Sequence, residues 1–79
     1  MNIVITSHAR ERMRKYKVPN ELVISTVENP TSIMEGHDGR KIYQKKLNGH
    51  VLRVIVEGSK EIKASKVITV YEARSGRYD

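Results

Sequence analysis

The pattern of hydrophobic and polar residues divides the chain into a helical first part and a strand-rich second part. A short β-prone run, residues 2–5, opens the chain, and Thr6 or Ser7 can then cap a helix over residues 8–17. The apolar positions of this helix fall at i, i+4 and i+7, namely Ala9, Met13 and Tyr16. A second helix begins near Pro19 and ends at Asn29-Pro30, because the residue before a proline avoids the α region.

From residue 31 onward the pattern is that of strands. We predict strands over residues 32–35, 41–47, 51–57 and 66–71, a polar loop over residues 58–65 and a polar tail over residues 75–79. Asp38-Gly39 and Asn48-Gly49 are strong turn signals between the first three of these strands. The chain is therefore expected to be one α+β domain, residues 1–79, in the order βααββββ. Two N-terminal helices pack on one face of an antiparallel sheet in this prediction.

The Asn48-Gly49 turn also predicts which residues share a face of the sheet. A two-residue turn places Leu47 opposite His50 and Gln44 opposite Arg53. The more apolar face, expected to meet the helices, then carries Tyr43, Leu47, Leu52, Val54 and Val56. The other face mixes cations with aliphatic residues: Ile42, Gln44, Lys46, Val51, Arg53 and Ile55.

Length and composition exclude several classes of protein. A chain of 79 residues is too short for two hydrophobic cores. The absence of cysteine excludes a disulfide framework, a zinc ribbon and a thiol nucleophile. No apolar run is long enough to span a bilayer and no signal-peptide pattern opens the chain, so we expect a soluble, cytoplasmic protein without a membrane partner.

The charge balance points to a polyanionic partner. Fifteen Lys and Arg against nine Asp and Glu give a net charge of +6 and a pI near 9.8. A field of this strength attracts polyanions through counterion release, and nucleic acid is the partner that the charge predicts.

The candidate chemistry follows from the motifs that are missing. His8, His37 and His50 show no metal-ligand spacing, and the chain has neither a phosphate-binding glycine loop nor a nucleophile elbow, so no metal and no cofactor are expected. RNA cleavage by the ribose 2′-OH needs only a base, an acid and positive charge on the phosphate. Arg53 and Lys46 can supply charge, Tyr71 or His8 can exchange protons, and Arg74 can hold a phosphate.

Each of these residues also has an alternative structural role. Arg53 can serve to keep a strand soluble, Tyr71 can belong to the core, and His8 can serve in packing or capping. The sequence leaves both interpretations open.

The opening Thr6-Ser7-His8-Ala9-Arg10-Glu11-Arg12-Met13 resembles the T-x-H-A-x-x-R-M/L start of a family of small prokaryotic proteins related to the BrnT and RelE/ParE toxins. The resemblance continues through much of the chain: residues 18–22, 28–30, 38–43, 47–49 and 67–71, with Arg74, Arg77 and Tyr78. It implies a sheet backed by two helices and, for many relatives, metal-independent endoribonuclease activity that a cognate antitoxin holds in check. ParE-type relatives poison DNA gyrase instead.

By position, the resemblance implies roles for His8, Arg12, Arg53, Tyr71 and Arg74, and the basic residues Lys15, Arg40 and Lys46 complete the candidate set. The catalytic candidates are His8, Arg53, Tyr71 and Arg74, and the RNA-binding candidates are Arg12, Lys15, Arg40 and Lys46. His8 belongs to a helix that should cover the face opposite Arg53, so the two can share a site only at an edge of the sheet. A non-catalytic basic module that binds a protein or a nucleic acid is the alternative function.

Overall fold

One strand, two helices and then four strands follow one another along the chain in the computed structural model, which describes residues 2–59 and 64–74, without the side chains of Ser59 and Arg74. The elements, in chain order, are β1 (Asn2–Ile5), α1 (Ser7–Tyr16), α2 (Asn20–Glu28), β2 (Ser32–Glu35), β3 (Arg40–Leu47), β4 (His50–Ser59) and β5 (Ala64–Arg74). The predicted order βααββββ is confirmed. The loop predicted over residues 58–65 is too long, because β4 and β5 both extend into it, and the predicted tail lies outside the described residues.

Local capping explains where α1 begins and ends. The Thr6 hydroxyl accepts a hydrogen bond from the Ala9 amide at 3.1 Å, which satisfies one of the free donors of the first turn. Lys17 adopts a left-handed conformation (φ 57°), and the next amide, that of Val18, donates to the Met13 carbonyl at 2.8 Å. The helix therefore stops before Pro19, which precedes α2 as its N-cap.

The sheet is mixed, with strand order β1-β5-β4-β3-β2. Strands β2 to β5 pair antiparallel, as predicted, whereas β1 pairs parallel to β5 through the register Asn2↔Ala64 to Ile5↔Val67. The prediction of a wholly antiparallel sheet is therefore wrong. Turn signals fix the direction of neighbouring hairpin strands, but β1 reaches its partner across two helices and three strands, beyond the range of any local signal.

The hairpin register confirms the predicted faces. Leu47 lies opposite His50 and Gln44 opposite Arg53. The helix-covered face of the sheet contributes Leu52, Val54 and Val56 to a core completed by Ala9, Met13, Val18, Val23, Val27, Val67 and Val70, with Tyr43 and Leu47 packed against it. Helix α1 lies against β5 and α2 against β3 and β4, so both helices cover the same face.

A β-bulge in β5 changes which of its residues face the core. Val56 pairs with Val67 and Ile55 pairs with Thr69, so Ile68 is the extra residue. Val67 and Val70, three positions apart, are therefore both fully buried on the helix side. The same shift places Tyr71 on the opposite face, across from Arg53, and outside the core.

Thr6 joins helix α1 to this bulge. Its amide donates to the Val67 carbonyl at 3.2 Å, and its hydroxyl lies 2.9 Å from the Val67 carbonyl oxygen and 3.2 Å from that of Ile68. One side chain therefore caps the helix and holds the strand on which the helix rests. Within the described part of the chain, neither helix is long and apolar enough to cross a membrane.

Candidate nucleic-acid interface

The candidate site lies on the open face, by which we mean the side of the sheet turned away from both helices. A row of polar side chains crosses four adjacent strands there, because Ser32 pairs with Gln44, Gln44 with Arg53, and Arg53 with Tyr71. We call these four residues the polar row. Directly opposed side chains in a sheet are close enough to bond, so the register alone brings them together.

Hydrogen bonds connect the polar row from end to end. Gln44 Nε2 donates to Ser32 Oγ at 3.1 Å, and Arg53 Nε donates to Gln44 Oε1 at 2.8 Å. Arg53 Nη1 donates to Tyr71 Oη at 3.4 Å, and the guanidinium carbon lies 5.9 Å from the centre of the Tyr71 ring. The guanidinium is therefore held from both sides along the row.

Besides Ser32, the residue of the polar row that the sequence argument did not single out as a site residue is Gln44. It is 7% exposed, and both ends of its amide are hydrogen-bonded. A buried amide that is satisfied in this way fixes its neighbours, since moving it would leave polar atoms unpaired. The sequence signal that could have found it was its predicted place opposite Arg53; its burial was not visible in the pattern.

The geometry of Arg53 and Tyr71 suits an oxyanion. Arg53 is half-buried on the open face, and its long side chain has already lost much of its rotamer freedom to Gln44 and Tyr71. Tyr71 Oη accepts a hydrogen bond from Arg53, so its own hydrogen can be donated to another oxygen. A positioned positive charge and a hydroxyl donor thus lie side by side.

Other cations of the open face lie at different distances from the polar row. Lys46 is exposed, two residues along β3 from Gln44, which corresponds to about 7 Å along a strand. Arg40, opposite Glu57, lies four residues from Gln44 in the other direction, about 13 Å along the strand. Arg40 Nε is buried without a hydrogen-bond partner among the described atoms. Lys46 is thus placed beside the polar row and Arg40 at a distance from it.

The predicted catalytic residues are not all brought together. Arg53 and Tyr71 meet on the open face, but His8 is an exposed residue of α1, on the helix-covered side of the sheet. Arg74 ends β5, where its backbone pairs with His50, and its side chain lies outside the described structure. The group of four therefore reduces to the Arg53–Tyr71 pair, because the sheet separates this pair from α1.

Two predicted RNA-binding residues also lie on α1. Arg12 is half-buried and Lys15 is exposed, with Lys15 Nζ 5.5 Å from the centre of the Tyr16 ring. They belong to a different surface from Lys46, on the other side of the sheet.

The histidines and carboxylates of the described residues form no group of three or more that could hold a metal ion. His50 Nε2 lies 3.7 Å from Glu72 Oε2, and His37 precedes the Asp38-Gly39 turn.

Comparison with known protein families matches residues 5–72 to the model described as "Domain of unknown function (DUF4258)". The chain belongs to this family. The DUF4258 match includes Thr6 and the whole polar row and ends before Arg74. No curated protein and no solved structure matches the chain.

Proposed function

We propose that the open face binds RNA and that the protein is a metal-independent endoribonuclease of the toxin–antitoxin type. The observation that supports this proposal is the Arg53 guanidinium, held by the buried Gln44 amide beside the Tyr71 hydroxyl. Donors that are oriented before the substrate arrives stabilise developing negative charge without reorganising during the reaction. Cleavage at a phosphodiester passes through a state in which the phosphorus oxygens gain such charge.

The proposed reaction uses the RNA itself as the nucleophile. The ribose 2′-oxygen attacks the adjacent phosphorus, the bond from phosphorus to the 5′-oxygen breaks, and the products are a 2′,3′-cyclic phosphate and a 5′-hydroxyl. Arg53 donates to the non-bridging oxygens, and Tyr71 donates its proton to the departing 5′-oxygen and is reprotonated by water. The proton of the 2′-hydroxyl passes to solvent, because His8 lies across the sheet from this pair.

The charge of the molecule supports RNA as the substrate. The net charge is +6, and Lys46 stands beside the polar row, where it can contact a neighbouring phosphate. Tyr71 also offers an aromatic surface on which an unpaired base can stack.

The toxin assignment rests on the resemblance of the opening motif and the strands to the BrnT and RelE/ParE group. From the same resemblance we also propose a RelE-like arrangement of the fold, a cognate antitoxin as protein partner, and action on RNA in the cytoplasm. The mixed sheet with two helices on one face is compatible with that resemblance.

The test is cleavage of end-labelled single-stranded RNA by purified protein in the presence of EDTA. We expect products with 2′,3′-cyclic phosphate ends, and a single 2′-deoxy substitution should block cleavage at that position. Arg53→Gln should lower the cleavage rate by about a hundredfold and Tyr71→Phe by about tenfold or more. Lys41→Gln, which removes a charge from an exposed residue elsewhere on β3, serves as the control and should change the rate less than threefold, roughly the effect of one screened surface charge.

One observation favours the alternative, a module that binds RNA or a protein without cutting it. The candidate proton carrier His8 is separated from Arg53 and Tyr71 by the sheet. RNA binding that is salt-sensitive and depends on Arg53, with no cleavage by the wild-type protein at any concentration, would select this alternative and contradict the ribonuclease.

A further inference from the structure

Helix α1 is basic on both flanks of its outer surface. Ala9 and Met13 are buried, and between Ser7 and Tyr16 the helix carries four bases and one acid. Helical spacing places Arg10 and Arg14 on one flank and Arg12 and Lys15 on the other. Each flank therefore carries two cations, so the flank that lies nearer the edge of the sheet presents two positive charges there.

Within the described part of the chain, these cations lie apart from the carboxylates that could pair with them. Among the described residues, none of the four basic side chains of α1 forms an ion pair. Helix α2, by contrast, carries two acids and no base. The positive charge of the helical side is therefore concentrated on α1.

The helix lies against a strand whose outer edge is partly unpaired. Strand β1 pairs with β5 only from Ala64 to Val67, and Thr6 bonds to the carbonyls of Val67 and Ile68. From residue 69 to residue 73, β5 has no strand on its outer side within the described structure. The basic helix, this free edge and the Tyr71 side chain on the open face thus follow one another around the border of the molecule.

We propose that single-stranded RNA wraps this border, with its phosphates on one flank of α1, its backbone across the free edge of β5, and its reacting phosphate at Arg53. This inference rests on the proposed function and names the form of the substrate. A single strand can turn around a layer about 10 Å thick, whereas a stiff duplex cannot. Unpaired backbone amides of an edge strand are additional donors to phosphate oxygens.

An acidic polypeptide segment could add to the same edge as an extra strand, but RNA fits the charges better. An added strand would satisfy the edge and the helix and would leave Arg53 and Tyr71 without a part in binding. An RNA strand uses the cations on both sides of the border, together with the aromatic ring that lies between them.

The test measures the affinity for 2′-O-methyl RNA, which cannot be cleaved, at lengths of about 4 and about 16 nucleotides. Two double variants remove equal charge from the same helix: Arg10→Gln with Arg14→Gln, and Arg12→Gln with Lys15→Gln. The double variant on the flank that faces the free edge should lower the affinity for the long RNA by about tenfold. It should also reduce the salt slope by about 1.4, that is, by about 0.7 for each phosphate contact. The other double variant is its matched control and should change the affinity less than threefold.

For the short RNA, both double variants should bind within threefold of the wild type, whereas Arg53→Gln should weaken the binding of both lengths. A duplex of the longer length should bind at least about tenfold more weakly than the single strand. If neither flank matters, if both flanks matter equally for the long RNA, or if the duplex binds as well as the single strand, the wrapping path is wrong even though Arg53 matters. If Arg53→Gln has no effect at either length, or no RNA binds, the proposed function itself fails.

Discussion

The substitution Gln44→Glu separates the two tasks that the structure gives to this residue, supporting the fold and orienting Arg53. A carboxylate can still accept from Arg53 Nε, and the Ser32 hydroxyl can reverse its bond and donate to the carboxylate. The hydrogen bonds of the polar row are therefore kept. The positive charge of Arg53 is instead balanced by a negative one at hydrogen-bond distance.

The magnitudes follow from these contacts. Placing a charge at a position that is 7% exposed costs desolvation, and pairing it with Arg53 offsets that cost, so the free energy of unfolding should change by no more than about 1 kcal/mol. Loss of one effective phosphate contact should weaken single-stranded RNA binding by about tenfold and reduce the salt slope by about 0.7. Gln44→Leu removes two hydrogen bonds and keeps the charge, so it should cost about 1–2 kcal/mol of stability and weaken binding only about threefold.

Thermal unfolding and RNA titration of the two variants test this reasoning together. Gln44→Leu should lower the melting temperature by about 4–16 °C, and Gln44→Glu should lie closer to the wild type. In RNA binding the order should reverse, with Gln44→Glu the weaker of the two. Wild-type affinity in Gln44→Glu, or weaker binding by Gln44→Leu than by Gln44→Glu, would refute the role given to Arg53 and the open face.

Three further predictions concern the fold. Thr6→Val should cost about 1–2 kcal/mol in urea unfolding, because it removes the helix cap and the hydroxyl contacts to the bulge, whereas a loss below about 0.5 kcal/mol would show that these contacts do not matter. Leu52→Ala, at a fully buried position, should lower the free energy of unfolding by about 2–5 kcal/mol, and Ile33→Ala, at a position 50% exposed, by less than about 1 kcal/mol. Equal losses would show that the core has been assigned to the wrong face. Gly49→Ala should cost about 1 kcal/mol because φ is +85°, and its control Gly58→Ala should cost less; the reverse order would contradict the turn geometry.

The sequence predicts this fold best where its signals are local. Asn48-Gly49 fixes the register of β3 and β4, and the alternation that follows from it correctly separates Leu52 from Arg53. The Thr6 cap and the stop at Asn29-Pro30 similarly give the helices their bounds. Each of these features depends on residues within a few positions of one another.

The features that the sequence did not predict depend on contacts between distant parts of the chain. The parallel pairing of β1 with β5 joins the two ends of the described chain, and no turn signal specifies it. The bulge at Ile68 shifts the alternation, so counting from Val67 without it would place Tyr71 on the wrong face. The sequence pattern does not distinguish Gln44 from an ordinary polar strand residue; only the structure shows that it is buried between Ser32 and Arg53.

The most direct test of the account is to follow the Arg53 Nε–H resonance by NMR while single-stranded 2′-O-methyl RNA is added, with the signal assigned from the Arg53→Lys spectrum. Binding at the polar row predicts that this resonance shifts in a saturable way, together with the amides of Gln44 and Tyr71, and that added salt reverses the shift. Saturable RNA binding that leaves the Arg53 signal and these amides unmoved would contradict the central claim, because the polyanion would then be held elsewhere on the protein.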